Sequence, residues 1–342
     1  MAQGFTRFRK IQVGKQSVIG TAVAATRVLP YRSLVVYNPN RTDPDIDVGS
    51  LDPVLAPYMV APEVTLPGAA GPLTFNDMAV RASAGIKGGV SPTGNAVAGY
   101  TWTFTAASLT ADTFDYYSVQ TGDDTSDSAG AGTNAFGAVI NQLSESMDEG
   151  LGPWTVSDDW IAAGAVYGNR TASLNVDASP KFVFGADTKF YLNSVAGAIG
   201  ATPLDAAVRG ATLTINNNLD QKRFADGSNV RFTLNSFGRG LREVTLDLVV
   251  EKTTATIAEA ITLDDTPTPN RYIKISTNSL ETAGSGGSLA YREWYLPMRL
   301  YSIDDGEIEN NTNWTFHYKG FYDSTLTYAI KLVVFNSLSA LP

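Results

Sequence analysis

The chain has 342 residues, of which 44% are hydrophobic, 10% aromatic and 17% charged. That balance is too apolar and too sparsely charged for a disordered protein, and at roughly 100–200 residues per domain it suits one to three domains. With 25 Lys and Arg against 34 Asp and Glu, the net charge is −9, which excludes a wholly basic nucleic-acid binder, because phosphate contacts need cations.

Cysteine is absent and His317 is the sole histidine. Disulfides, thiolate metal sites and histidine-rich metal centres are thereby excluded, and neutral-pH catalysis has lost its commonest acid–base group. No apolar run approaches the roughly 18 residues of a membrane-spanning helix, so no membrane insertion is expected.

In chain order, residues 1–75 carry prolines at 30, 39, 44, 53, 57, 62, 67 and 72. This density interrupts helix and strand alike, and predicts an extended N-terminal arm that adds little to its own core and lies on a neighbouring copy. Its basic start imitates a secretory signal, but Lys15 and Gln16 interrupt the apolar region.

Strands are predicted at 100–105, where Tyr100, Trp102 and Phe104 alternate with threonine, and at 113–119, 154–162, 181–184 with 189–192, 211–216 and 229–235. Further strands are predicted at 242–250, 272–277, 290–301, 312–318 and 325–335. Residues 184–187 close a hairpin, as do Asp226-Gly227 and Gly238-Arg239-Gly240. The best helix is 254–263, and 136–147 fits either a helix or a strand.

The predicted fold is mostly β, with one or two short flanking helices. Residues 76–342 form the β-domain, within which 162–208 is a Gly- and Ala-rich link. Residues 100–122 and 272–287 share a strand, a Ser-Leu pair and a Gly-rich polar run, a similarity that fits either a duplication or two hairpins.

Charge is segregated. Seven basic residues and no acidic one precede Asp43, whereas 88–169 holds ten carboxylates and no cation. The pattern predicts that an arm bearing Arg7, Arg9, Lys10, Lys15 and Arg27 meets the acidic stretch of another copy. Asp123, Asp124, Asp127, Asp148, Glu149 and Asp158 are its acidic surface candidates.

No motif carries a reaction. The Asp123–Asp127 run lacks the spacing, glycine and distal Glu of a helix-loop-helix calcium loop. Asp158 and Asp159 are adjacent on a strand, so they point to opposite faces and cannot act as a hydrolytic pair. His317 reads as a surface residue opposite Trp314, Phe316 and Tyr318, and 283–288 reads as a hairpin tip rather than a phosphate loop. Catalytic, cofactor-binding and metal-ligating residues are assigned to none.

Several segments in order carry a family resemblance. Gly20-Thr-Ala-Val-Ala-Ala-Thr26 leads to Leu29-Pro30, and Ala135-Phe-Gly-Ala-Val-Ile-Asn-Gln-Leu-Ser144 follows. Then come Gly210-Ala-Thr-Leu-Thr-Ile-Asn216, the strand 241–251, Tyr272-Ile-Lys-Ile-Ser276 and the last strand at 325–335. Across about residues 15–337 the chain resembles the tail tube (major tail) proteins of long-tailed bacteriophages. The acidic Gly-rich stretch 122–132 has no counterpart there.

The resemblance implies a β-sandwich or barrel flanked by a helix, six copies in a ring, and rings stacked into a virion tube made in the host cytoplasm. It implies self-contacts, a tape measure protein and a tail terminator as partners, and DNA that transits without specific contact. An acidic channel would repel phosphate and let DNA slide; the candidate lining is 181–192, 242–250 and 290–301. A capsid decoration protein, fibre segment or adhesin remains an alternative, and a carbohydrate-active module a more distant one.

Overall fold

The computed structural model describes residues 9–42, 58–59, 62–106, 113–123, 132–149, 152–204, 207–222, 236–265, 267–308 and 311–342. The first half of the chain forms β1 (Lys10–Lys15), β2 (Arg27–Leu29), β3 (Val36–Asn38), β4 (Arg41–Thr42), β5 (Tyr58–Met59) and β6 (Glu63–Pro72). Helix α1 (Phe75–Gly85) follows, then β7 (Thr93–Asn95), β8 (Gly99–Thr105), β9 (Tyr117–Gly122), β10 (Gly132–Asp148), β11 (Thr155–Ile161) and β12 (Gly164–Gly168). The second half forms β13 (Thr188–Asn193), β14 (Val208–Asn216), β15 (Leu219–Lys222), β16 (Ser236–Arg239) and β17 (Glu243–Glu251). Helix α2 (Thr254–Ile261) then leads to β18 (Asn270–Thr282), β19 (Leu289–Ile308), β20 (Asn311–Gly320) and β21 (Lys331–Asn336).

The fold is mostly β, built on a large antiparallel sheet with two short helices. Eight strands line up in the order β3-β6-β11-β10-β14-β17-β20-β19. Alternation makes one face of this sheet apolar: β17 buries Val244, Leu246, Leu248 and Val250 and turns the intervening residues outward.

Two long strands each serve two layers. The first part of β10 pairs with β9 and β12 and its second part with β11 and β14. The first part of β19 pairs with β18 and β21 and its second part with β20. Beyond β9 lie β1 and β2, beyond β18 lies β13, and beyond β21 lie β8 and β7. β10 turns between layers at Gly137, whose φ of 62° suits glycine and where an added Cβ would lie 2.7 Å from the Ala163 Cβ. The strands of the main assembly close into a barrel, in which the segment 27–38 pairs with β1 through Arg27–Leu29 and with β6 through Val36–Asn38.

The topology is duplicated. In the first unit, β6, α1, β9, β10 and β11 assemble in the sheet order β6-β11-β10-β9. In the second, β17, α2, β18, β19 and β20 assemble as β17-β20-β19-β18. β12 and β21 then take the same place on β10 and β19, and β1 and β13 on β9 and β18.

Local chemistry repeats with the topology. β6 opens with Glu63-Val64-Thr65-Leu66 and β17 with Glu243-Val244-Thr245-Leu246. Thr74 caps α1 and Thr253 caps α2, each accepting the backbone N–H three residues on. At the end of β3, the Asn38 side chain accepts from the Asn40 N–H at 3.1 Å; at the end of β14, Asn216 accepts from Asn218 at 3.0 Å. Asn40 and Asn218 share a left-handed φ of 43° and 46°, and each turn leads into a two-stranded extension. The ladders β10–β11 and β19–β20 shift register at matching places, Ile140/Gln142 and Leu300/Ser302.

Several sequence expectations change. The described part of 1–75 does not stand apart as an arm: Ile11, Val13, Leu29, Tyr31, Val64 and Leu66 are core residues, on strands paired within the same chain. The proline at 67 is tolerated because it falls where β6 and β11 shift register. α1 is not a flanking helix, since all eleven of its residues are buried; α2 lies at the surface as expected.

The turn at 184–187 joins no hairpin. Phe182 and Phe184 bridge to Thr74 and Pro153, whereas β13 pairs with β18. Likewise Gly238 and Arg239 lie on β16 itself, which pairs with β15, while β17 pairs with β14. The segment 136–147 is strand, the strand predicted at 113–119 begins at Tyr117, and that predicted at 325–335 begins at Lys331. The counterpart of β18 is β9 rather than β8, which instead crosses to β21 of the second unit. The predicted 229–235 strand and the Asp226-Gly227 turn lie outside the described residues.

Candidate functional site

The two units meet around one carboxylate. Glu145, on the inward face of β10 and 1% exposed, accepts from Arg81 Nη1 at 2.7 Å through Oε1. Its Oε2 accepts from Arg292 of β19 and from Trp294 Nε1 at 3.2 Å. Arg81 also forks onto Asp158 of β11, Nε to Oδ2 at 2.6 Å and Nη2 to Oδ1 at 2.8 Å, and donates to the Ser144 carbonyl. The Arg292 guanidinium lies 4.2 Å from the Trp154 ring centroid and donates to Thr277 Oγ1.

These four charges sum to zero, which is what makes their burial tolerable. Burial pushes the Glu145 carboxyl up, but Arg292 and Arg81 outweigh it and hold the group below its ordinary value. Burial lowers Arg292 to about 10, against the opposing pull of Glu145, so it stays charged at neutral pH. For Arg81, Asp158 and Glu145 outweigh burial and raise the guanidinium further. The half-buried Arg27 pairs with the buried Asp77 at 2.8 Å and anchors the first turn of α1.

The outward face of the large sheet is of opposite character. Ser144 and Ser146 of β10, Thr155 and Ser157 of β11, Thr212 and Thr214 of β14, and Thr245 of β17 bring hydroxyls side by side through the cross-strand registers. Ser146 and Thr155 are hydrogen-bonded at 2.8 Å. Carboxylates punctuate the face at Asp148, Asp159, Glu243, Asp247 and Asp304. Of its cations, Arg209 is engaged by Glu149 at 2.7 Å and Lys319 lies over the Tyr301 ring. His317 sits on this face between Asp247 (2.7 Å) and Asp304 (3.1 Å). Burial lowers its pKa, but hydrogen bonds to the two carboxylates outweigh that and raise it above the ordinary value.

The sequence-predicted residues are dispersed. Lys15 pairs with Asp115 at 2.9 Å, so the basic start and the acidic stretch meet here within one chain. Arg27 is committed to Asp77, and Lys10 Nζ donates to the Leu174 carbonyl at 3.0 Å. Arg9 is exposed beside a cleft shared with Arg32 and Val36. Arg7, Asp124 and Asp127 lie outside the described residues, and the Asp123 carbonyl accepts from Arg170.

Asp148 is exposed and Glu149 engages Arg209. Asp158 is a correction: it is 0% exposed, because Arg81 draws it into the core. Arg81, Glu145 and Arg292 carried no signal as a group, being separated by 64 and 147 residues.

No family model matches this sequence, and no curated protein matches it.

Glu145→Gln leaves two buried guanidiniums without their shared counter-charge, and should cost about 3–5 kcal/mol in urea unfolding. Adding Arg292→Met should then cost less than the sum of the single changes, a coupling that a double-mutant cycle reads directly. His317 has a raised folded-state pKa, so its contribution is complete below the unfolded value of about 6.5 and is lost as pH rises through the folded one. Thermal melts should therefore show the wild type losing stability as pH rises above about 6.5, by an amount absent from His317→Gln.

Proposed function

We propose that this chain is the structural subunit of a long-tailed bacteriophage tail tube, polymerising as stacked rings around a channel that conveys DNA. The observation that carries this reading is the eight-stranded sheet, whose terminal segments 36–38 and 300–308 each have one strand partner among the described residues and whose outward face is hydroxylic and acidic. A free edge in a β-rich protein is a liability unless another chain pairs with it, and head-to-tail pairing closes a ring or extends a filament.

The outward face suits a channel wall. Hydroxyls keep it wet, and carboxylates repel phosphate, so little counterion is released and DNA is not retained. β17, one of the sequence-predicted lining strands, runs through the middle of this face; β13 and the first part of β19 belong to the second layer. On this reading the protein acts by shape and charge, without catalysis or cofactor, in the virion tail. Its partners are further copies of itself, with a tape measure protein inside the tube and a terminator at its end.

Electron microscopy of the purified protein at rising concentration tests the reading. Rings or tubes with a bore of about 30 Å or more are expected, since duplex DNA is roughly 20 Å across. A particle that remains monomeric or dimeric throughout contradicts it.

A further inference from the structure

The duplication leaves one strand position filled inside the chain and vacant at its end. β14 lies between β17, its hairpin partner, and residues 142–148 of β10 in the other unit. Its counterpart by topology is the segment 30–38, which holds the same place on β6: Arg32 bridges Ala70 as Gly210 pairs with Val249, and Asn38 faces Glu63 as Asn216 faces Glu243. The outer edge of 30–38 has no strand partner among the described residues. Conversely, β18 covers one edge of β19 only as far as Arg299, so residues 300–308 have β20 on one side and no strand partner on the other among the described residues.

We infer that the joint inside the chain is repeated between chains, the free edge at 300–308 receiving the 30–38 segment of a second copy as β10 receives β14. This rests on the self-assembly reading and adds to it the edge, the occupant and the register. Transferring the β10–β14 register through the matched bulges places Val36 of the incoming copy opposite Asp304, and Asn38 opposite Ser302.

Two independent features agree. α1 is wholly buried because β19 and β21 of the second unit, with β8, pack over it. α2, its counterpart, leaves Ile257 44% and Ile261 65% exposed, the apolar residue a following unit would cover. Charge is also complementary: the vacant edge of β19 carries the exposed Asp304, Asp305 and Glu307, whereas Arg9, Arg32 and Arg41 are exposed around the incoming segment. The two surfaces differ, so the contact is heterologous and propagates head to tail.

The absence of cysteine makes the register directly testable. Opposed residues of an antiparallel pair hold their Cβ atoms about 4.5–5.5 Å apart, close to the roughly 3.5–4.5 Å a disulfide needs. Assembled Val36→Cys/Asp304→Cys protein, oxidised and run without reductant, should give a ladder of covalently joined chains. Val166→Cys/Asp304→Cys, which places one cysteine on the free edge of β12, should give none beyond dimers. Rings that form without a Val36–Asp304 ladder overturn the edge assignment and leave the tube reading standing; failure of the wild type to form rings overturns both. As a second measurement, Ile257→Asp/Ile261→Asp changes exposed residues only, and should abolish assembly without altering the melting of the monomer. Rings persisting in that variant contradict the burial of α2 by a second copy.

Discussion

Glu145 between Arg81 and Arg292 is the constraint on which the rest of the structure depends. It ties the buried helix of the first unit to the long strand of the second, and with Asp158 it completes a neutral cluster in a region otherwise filled by Trp154, Trp160 and Trp294. Such a cluster contributes less to net stability than an apolar filling of the same shape would; its effect is on specificity. A one-residue slip of β10 would turn Glu145 outward, leaving Arg292 buried without its counter-charge and Arg81 with Asp158 alone. The register of β10 against its neighbours is thereby fixed, and with it which side chains face outward.

That register connects packing to function. With Glu145 held inward, Ser144 and Ser146 must face solvent beside Thr212 and Thr214, and the hydroxylic face runs unbroken from one unit into the next. The same joint covers residues 142–148 of β10 on both edges, whereas residues 300–308 of β19 have one strand partner among the described residues. At the matching helix position α1 is buried and α2 leaves Ile257 and Ile261 exposed.

The sequence showed what alternation can show. β8, β17, β18 and β20 were legible because aromatic and β-branched residues recur at every second place, and α2 because a threonine cap precedes a run of Ala and Ile. α1 was not, since its buried Asn76, Asp77, Arg81 and Ser83 interrupt the apolar stripe by which a helix is read. Prolines made 1–75 look like an arm because edge and bulge positions admit residues that central strands do not.

Asp158 read as surface for want of any cation in its stretch, while its partner Arg81 lies 77 residues away. The repeated Glu-Val-Thr-Leu is only four residues long and gains meaning when β6 and β17 are seen to hold equivalent places. The similarity between 100–122 and 272–287 sets β18 against β8, which has no counterpart in the second unit among the described residues, whereas the duplicated partner of β18 is β9.

In the proposed assembly one chain supplies two successive units of a continuing sheet. Native mass spectrometry of an isolated ring, set against the number of repeats in its projected image, is the decisive measurement. Half as many chains as repeats are expected. Equal numbers would contradict this assembly, because each chain would then contribute a single unit to the wall.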